Sequence, residues 1–192
     1  MVSHFGQNFQ AECLDRAERI SLNINTRCLS ENIVAHENRY TCFQSIAKWH
    51  INNHNHKDAE IYLNKMIALD PYDSTAYSEL GLHQANRNEY IGATASFKQA
   101  VKLGPPGTSM NTYYYAKCLE ITGNIHDSIE YLHKSASLDT TAVSPWLDLH
   151  ELYNRNNDKI NATSCVKHIL STPTLRNQLA TNEIRNLESN II

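Results

Sequence analysis

The sequence predicts an all-α fold, an α-solenoid of antiparallel helix pairs laid in series. Two observations predict it. First, residues of one character recur at a fixed interval. Pro71 and Pro105 are 34 residues apart, as are Phe43 and Tyr77, Ile46 and Leu80, and Ala59 and Ala93. The interval becomes 35 from Leu80 to Tyr115, Ala93 to Ser128 and Leu103 to Leu138, then returns to 34 from Tyr115 to Leu149 and Ser128 to Ala162. The extra residue falls in the loop GPPGTS, where lengthening costs little. Second, the apolar spacing inside each interval is helical: Tyr77, Leu80, Gly81 and Gln84 step by three and four, and so do Ala93, Phe97, Ala100 and Val101. A period of this length marks units that bury their apolar faces on their neighbours.

The elements follow in order. Within residues 1–39, Phe5, Phe9, Cys13, Ala17 and Ile20 form a helical stripe that Leu22 and Ile24 continue. Ser30 is an N-cap candidate for a helix from Glu31 that merges with the first repeat helix. This region reads as an N-terminal helical cap, with an arm that self-associates or lies in the groove as the alternative. Residues 40–73, 74–107, 109–142 and 143–173 form four helix-pair units. They are broken internally at NNHNHKD, NRNE, TGNIHD and NRNND, clusters that suit tight turns and N-capping of the next helix. Asp58 and Asp127 suit the first turn of second helices, where the helix dipole favours an acid. Residues 174–192 carry Leu175, Leu179, Ile184, Leu187 and Ile191 at helical spacing after Pro173. They read as a C-terminal capping helix on the fourth unit, with docking of a partner as the alternative.

The units resemble the tetratricopeptide repeat. The second matches it best, through Tyr77, Leu80, Gly81, Tyr90, Ala93, Phe97, Ala100 and Pro105. The first carries Phe43, Ile46, Ala47, Ala59, Leu63 and Pro71, but has His56 where an aromatic is usual and Met66 where a small residue is usual. The third keeps Tyr115, Ala116, Gly123, Ser128, Leu132 and Ser135, with Thr140 in the proline slot. The fourth keeps Trp146, Leu149, Tyr153 and Ala162, with His150 where Gly or Ala belongs. The resemblance implies a right-handed solenoid of about four helix pairs with capping helices at both ends. It also implies that small residues face each other within a pair: Ala47 and Ala59, Gly81 and Ala93, Ala116 and Ser128. That explains a glycine inside a helix, where it costs about 1 kcal/mol relative to alanine. Close approach restores the loss through packing. His150 should hold the fourth pair further apart.

Composition narrows the function. The formal net charge is 17 − 20 = −3, with ten histidines. Such a balance gives no electrostatic reason to expect nucleic acid or a membrane surface. The amino terminus lacks the apolar run of a secretory signal, and no stretch of about 18 apolar residues would span a membrane. Cys13, Cys28, Cys42, Cys118 and Cys165 are odd in number, scattered and without a CxxC, as expected of reduced thiols in a cytoplasmic protein. The sequon Asn161-Ala162-Thr163 is then a chance match.

No nucleophile elbow, P-loop or dinucleotide fingerprint is present. His50, His54 and His56 form HxxxHxH, but the last two fall in a turn and no cysteine or carboxylate completes a metal set, so turn and packing roles are expected. Asp148 and Glu151 read as solvated-face charges. The expectation is a non-enzymatic protein without cofactor or metal.

Stacked units place their first helices along one concave face. By repeat register that groove holds Gln44, Lys48 and Asn52, then Ser78, Glu79, Leu82 and Asn86, then Met110, Tyr113, Tyr114 and Lys117, and finally Leu147, Asp148 and Glu151. Tyr115 belongs to the core, and Tyr113 and Tyr114 point away from it. Amides suit a peptide backbone and tyrosines supply rigid contact area. The expected roles are anchors (Tyr113, Tyr114, Leu82), orienting amides (Gln44, Asn52, Asn86) and charge selection (Lys48, Lys117, Glu79, Asp148, Glu151). Members of the family that bind chaperone tails hold a carboxylate in a basic clamp. Here those places are Gln44, Lys48, Glu79, Met110 and Tyr114, so the resemblance does not extend to that specialisation. The expected partner is a protein or an extended peptide, the protein acting as adaptor, assembly factor or accessory subunit. The alternatives are a self-associating module that forms a homodimer through its terminal helices, and a peptide-modifying enzyme or the accessory partner of one.

Overall fold

The computed structural model describes the backbone of residues 29–105 and 107–189, and the side chains from Arg39 onward. The stripe from Phe5 to Ile24, Cys13 and Cys28, Pro106 and Ile191 lie outside the described residues. Among the described residues every regular element is a helix. They run α1 (Leu29–Asn52), α2 (His56–Leu69), α3 (Ser74–Asn86), α4 (Tyr90–Leu103), α5 (Thr108–Ile121), α6 (Ile125–Leu138), α7 (Ser144–Arg155), α8 (Lys159–Ser171), α9 (Pro173–Arg176) and α10 (Thr181–Ser189). The α1 helix is continuous through residues 39 and 40, so the first repeat helix merges with what precedes it. Ser30 lies within α1, not ahead of it.

The first helices end in one recurring motif. His54, Asn88, Gly123 and Asn157 hold φ of 59°, 63°, 89° and 58°, at intervals of 34, 35 and 34 residues. Their amides donate to Ile51, Ala85, Glu120 and Asn154, while the next amides reach back to His50, Gln84, Leu119 and Tyr153 at 2.8 to 2.9 Å. This is the paired bonding of a Schellman stop, which needs a left-handed residue. Gly and Asn enter that region readily; His54 pays more for it. The polar clusters read as N-caps therefore serve chiefly as C-terminal stops. Asn55, Glu89 and Asn124 precede their helices without a side-chain cap bond, whereas the Asp158 carboxylate accepts from the Asn161 amide.

The second helices end differently. Asp70 is extended (φ −136°, ψ 92°) because Pro71 excludes the helical region for the residue before it. Asp139 adopts nearly the same angles, −131° and 93°, although Thr140 follows. Both carboxylates accept from the amide two residues on, Asp70 from Tyr72 at 3.0 Å and Asp139 from Thr141 at 2.9 Å, and Asp139 also accepts from the Thr141 hydroxyl at 2.6 Å.

Three of the four second helices bury one stripe at i, i+3, i+4, i+7 spacing. These are Ala59, Tyr62, Leu63 and Met66 on α2, Ala93, Ser96, Phe97 and Ala100 on α4, and Ala162, Cys165, Val166 and Ile169 on α8. The chain gathers into two compact units, one ending at His83 and the other beginning at Gln84. In the first, Ile46, Ala47, Leu63, Met66, Ala76 and Leu80 make the core, with Tyr62 beside them. Met66 is fully buried, its flexible side chain filling the place of a small residue. His50 is buried, stacks on Tyr62 at 5.6 Å and lies 3.8 Å from the Asp58 carboxylate. His56 lies 5.4 Å from the His83 ring. These histidines pack, and no group of three metal-ligating side chains forms among the described residues.

In the second unit Ala116, Leu132, Leu149, Leu152 and Cys165 form one cluster. Ala116 and Ser128 are fully buried. In the α7–α8 pair His150 replaces the small residue, and its Nδ1 lies 3.0 Å from the Ala162 carbonyl. The ring thus contacts the backbone of the facing helix. At the C-terminal end the expected single helix is split into α9 and α10. Glu183 accepts from the Ala180 amide at 2.7 Å, half of a capping box, and so restarts the helix there. Leu175 and Leu187 are buried with Val143, Val166 and Ile169, so this segment covers the α7–α8 pair of its own chain.

Candidate functional site

The expected groove residues divide by what they touch. In the first unit, Glu79 on α3 gathers two of them: the Gln44 amide donates to it at 2.6 Å and Lys48 lies at 3.4 Å. The Gln44 amide expected to meet a ligand is thus turned to the neighbouring helix. Asn52 is exposed, Ser78 and Leu82 are half-buried, and Asn86, in the second unit, is exposed.

In the second unit α5 and α7 lie side by side in one face. Its middle is a chain of charges. Lys117 donates to Glu120 at 2.8 Å and to Asp148 at 3.1 Å, and Arg155 reaches Glu120 at 2.5 Å. Burial opposes the charge on Lys117, but Glu120 and Asp148 outweigh it and hold the ammonium above its ordinary range. Burial likewise works to raise Glu120, and Lys117 with Arg155 hold it below the usual carboxylate range. Asp148 is only 17% exposed; it is a fixed member of this chain, not the solvated-face charge expected from i,i+3 spacing. The Tyr113 phenol is raised, first by burial and then by the Asp148 carboxylate beside it. The Asp148 Oδ2 atom is buried and has no hydrogen-bond partner. Glu151 is exposed, as expected. Leu147, expected in the groove, instead packs against the Val143–Leu187 cluster, because it lies on the side of α7 that meets the C-terminal segment.

At the N-terminal end of the same face lies a cavity of about 540 Å³. Met110, Tyr113 and Tyr114 line it from α5. The sequence reading missed the other walls, among them Leu138 and Asp139 at the end of α6, Ala142 in the loop, and Ser144 and Pro145 opening α7. Met110 and Leu138 are 61% and 48% exposed, large apolar groups turned to solvent. Tyr114 does not simply point outward: its ring stacks on the fully buried Phe97 of α4 at 5.5 Å. Reciprocal bonds from the Ser135 hydroxyl to the Ser109 carbonyl, 2.9 Å, and from the Ser109 hydroxyl to the Ser135 carbonyl, 3.3 Å, tie the start of α5 to the end of α6. The cavity wall is thus built on fixed helix ends. One sign was legible in sequence: Leu138 is in register with Leu103 and belongs to the last turn of a second helix, beside the start of the next first helix.

Cys118 and Cys165 are buried in the same unit, and burial pushes both thiols up to about 11. They are held protonated at neutral pH, the opposite of what a nucleophile needs.

Helix pairs in series, with one stop motif repeating every 34 or 35 residues, narrow the architecture to one. This is the tetratricopeptide-repeat fold. Solved structures agree. A MamA crystal structure matches with a TM-score of 0.66 at 16% identity, over 93% of this chain and 99% of that one. PilF of Pseudomonas aeruginosa matches at 0.65 and 14%, over 95% and 90%. YrrB, a TPR protein with an unusual peptide-binding site, matches at 0.63 and 15%, over 86% and 91%. At such identities the likeness shows the fold alone. No family model and no curated protein matches the sequence. The repeat fold is typically a protein- or peptide-binding scaffold. No helix among the described residues is long and apolar enough to cross a membrane.

Proposed function

We propose that this protein is a non-enzymatic scaffold, an adaptor, assembly factor or accessory subunit, that binds an extended segment of a partner protein on the α5–α7 face. The observation that carries the reading is the cavity of about 540 Å³ beside the exposed apolar side chains of Met110 and Leu138. Exposed apolar groups around a concavity with polar rim atoms are the usual form of a side-chain-binding pocket. Tyr113 and Tyr114 add rigid aromatic walls at little conformational cost. YrrB, with the same fold, has a peptide-binding site of its own. The protonated thiols of Cys118 and Cys165 favour packing over covalent chemistry, and free cysteines suit a cytoplasmic setting.

The test is a random twelve-residue peptide library panned on the full chain and on a Met110→Asp/Leu138→Asp variant. Both positions are exposed, so the variant should keep the helical circular dichroism of the parent. Enrichment on the parent that the variant loses supports the reading. Equal enrichment on both, or none on the parent, removes this face from the function.

A further inference from the structure

We propose that the segment bound on the α5–α7 face is basic, seating an apolar side chain in the cavity and pairing its lysines or arginines with Asp139 and Glu151. The inference rests on the reading above and narrows it to a ligand class.

The charge balance of the face carries it. The face holds two cations, Lys117 and Arg155, and both are engaged: Lys117 by Glu120 and Asp148, Arg155 by Glu120. That leaves Asp139 and Glu151, neither of which is ion-paired among the described residues. Asp139 lines the cavity itself. Its carboxylate is held below the usual range by the Thr141 side chain and amide, so it stays ionised at neutral pH. Glu151 is exposed on α7. Ser144, Asp148 and Glu151 step by four and three residues, so they share one stripe of that helix. Ser144 lines the cavity, and Glu151 lies about 10 Å further along the axis at 1.5 Å per residue. An extended peptide covers that distance in about three residues. One residue seated in the cavity and cations near it and about three positions on would therefore match both carboxylates.

The other groups agree with a cation that has an apolar stem. Met110 and Leu138 receive aliphatic carbons, and the faces of Tyr113 and Tyr114 attract an ammonium or guanidinium. The opening turns of α5 and α7 offer amide donors, which pull the other way. Their partial charges suit the carbonyls of a peptide backbone. A formal anion at the same place would meet Asp139, and both cations of the face are already engaged. Full charges outweigh the two partial ones, so the side chains of the ligand should be basic while its backbone faces the helix ends.

The experiment uses the full chain and two labelled ten-residue peptides of alanine and leucine, one with three arginines and one with three glutamates at the same positions. Anisotropy titrations are run at 50 and 300 mM salt on the parent, on Asp139→Asn/Glu151→Gln, and on Met110→Asp/Leu138→Asp. Asparagine keeps an acceptor for Thr141, so the first variant removes charge without removing the turn. With each exposed pair contributing about fivefold, the arginine peptide should bind at least about tenfold tighter than the glutamate peptide, and less so in high salt. The charge-removed variant should lose most of that preference. If the glutamate peptide binds as well or better, or the preference survives in that variant, the basic class is wrong while the binding face stands. If neither peptide binds the parent, or if Met110→Asp/Leu138→Asp binds both unchanged, the face itself is wrong and the inference falls with it.

Discussion

The middle and the N-terminal end of the α5–α7 face are built from opposite materials. In the middle, Lys117, Glu120, Asp148 and Arg155 satisfy one another, and little charge is left to offer a ligand. At the N-terminal end, Met110 and Leu138 are exposed, Asp139 lacks a cation, and there is a cavity. Met110 and Tyr113 at the one end and Lys117 and Asp148 in the middle were equivalent groove positions by register alone, whereas Leu138 and Asp139 come from the end of α6. The difference shows that a charged residue at a groove position can be spent holding two first helices together. What remains unspent is the part of the face on which we propose that a partner is recognised.

The hardest way to break this comparison is to remove the wall behind the cavity. Phe97→Ala deletes a fully buried ring that Tyr114 stacks on. It should destabilise the protein by about 3–5 kcal/mol, as large core truncations do. Phe97→Leu should cost far less in chemical denaturation yet still weaken peptide binding, because Tyr114 loses its stacking partner. Equal affinity in the leucine variant would mean that Tyr114 needs no support from α4.

Next in size is the middle of the face. Lys117→Met leaves Glu120 with Arg155 alone and Asp148 with no cation. Breaking a buried pair costs 3–5 kcal/mol, but Lys117 is 31% exposed, so the expected loss is on the order of 1 kcal/mol. Peptide affinity should hold within about twofold. A large loss of affinity with normal stability would show that the middle and the N-terminal end are not separate in function.

The same network sets a pH window. Glu120 titrates below its unfolded value, so its contribution is complete above that value and is lost as pH falls through the folded one. Lys117 and the Tyr113 phenol titrate above their unfolded values. Their contributions are present at neutral pH and are lost as pH rises past about 10. Thermal unfolding against pH should therefore fall at both extremes and run flat near neutrality. In Lys117→Met the acid limb should shrink, since Glu120 then has less to hold it ionised. An unchanged limb would assign the acid loss to other carboxylates, Asp73 among them.

The repeat was legible before the structure because its register depends on residues that must be small or large at fixed places. Ala47, Ala59, Ala93, Ala116, Ser128 and Leu149 are all fully buried, as their spacing requires. The turns were legible as turns but not in kind. An Asn or Gly cluster between helices can cap the next helix or stop the previous one, and only the backbone angle at Asn88, Gly123 and Asn157 distinguishes them. The wall of the candidate cavity was legible on α5 and poorly elsewhere. Met110, Tyr113 and Tyr114 fall on one helical face, which periodicity finds. Leu138, Asp139 and Pro145 reach the cavity because a helix end, a loop and a helix start converge there. No single period connects them. Leu147 and Asp148 show the remaining limit: register places a residue on a face, but neighbours decide whether its side chain is still free.

Tyr113 gives the finest division, because it belongs to both stretches. Its ring lines the cavity, while its hydroxyl lies beside Asp148 in the charged middle. Tyr113→Phe keeps the ring and removes only the hydroxyl. Since Asp148 Oδ2 has no hydrogen-bond partner, little is lost, about 0.5–1 kcal/mol in urea unfolding. Affinity for the arginine peptide should be unchanged, because the aromatic face proposed to meet the ligand is intact. Loss of affinity without loss of stability would mean that the hydroxyl itself contacts the peptide. The boundary between the two halves of the face would then run through Asp148, one turn closer to Glu151.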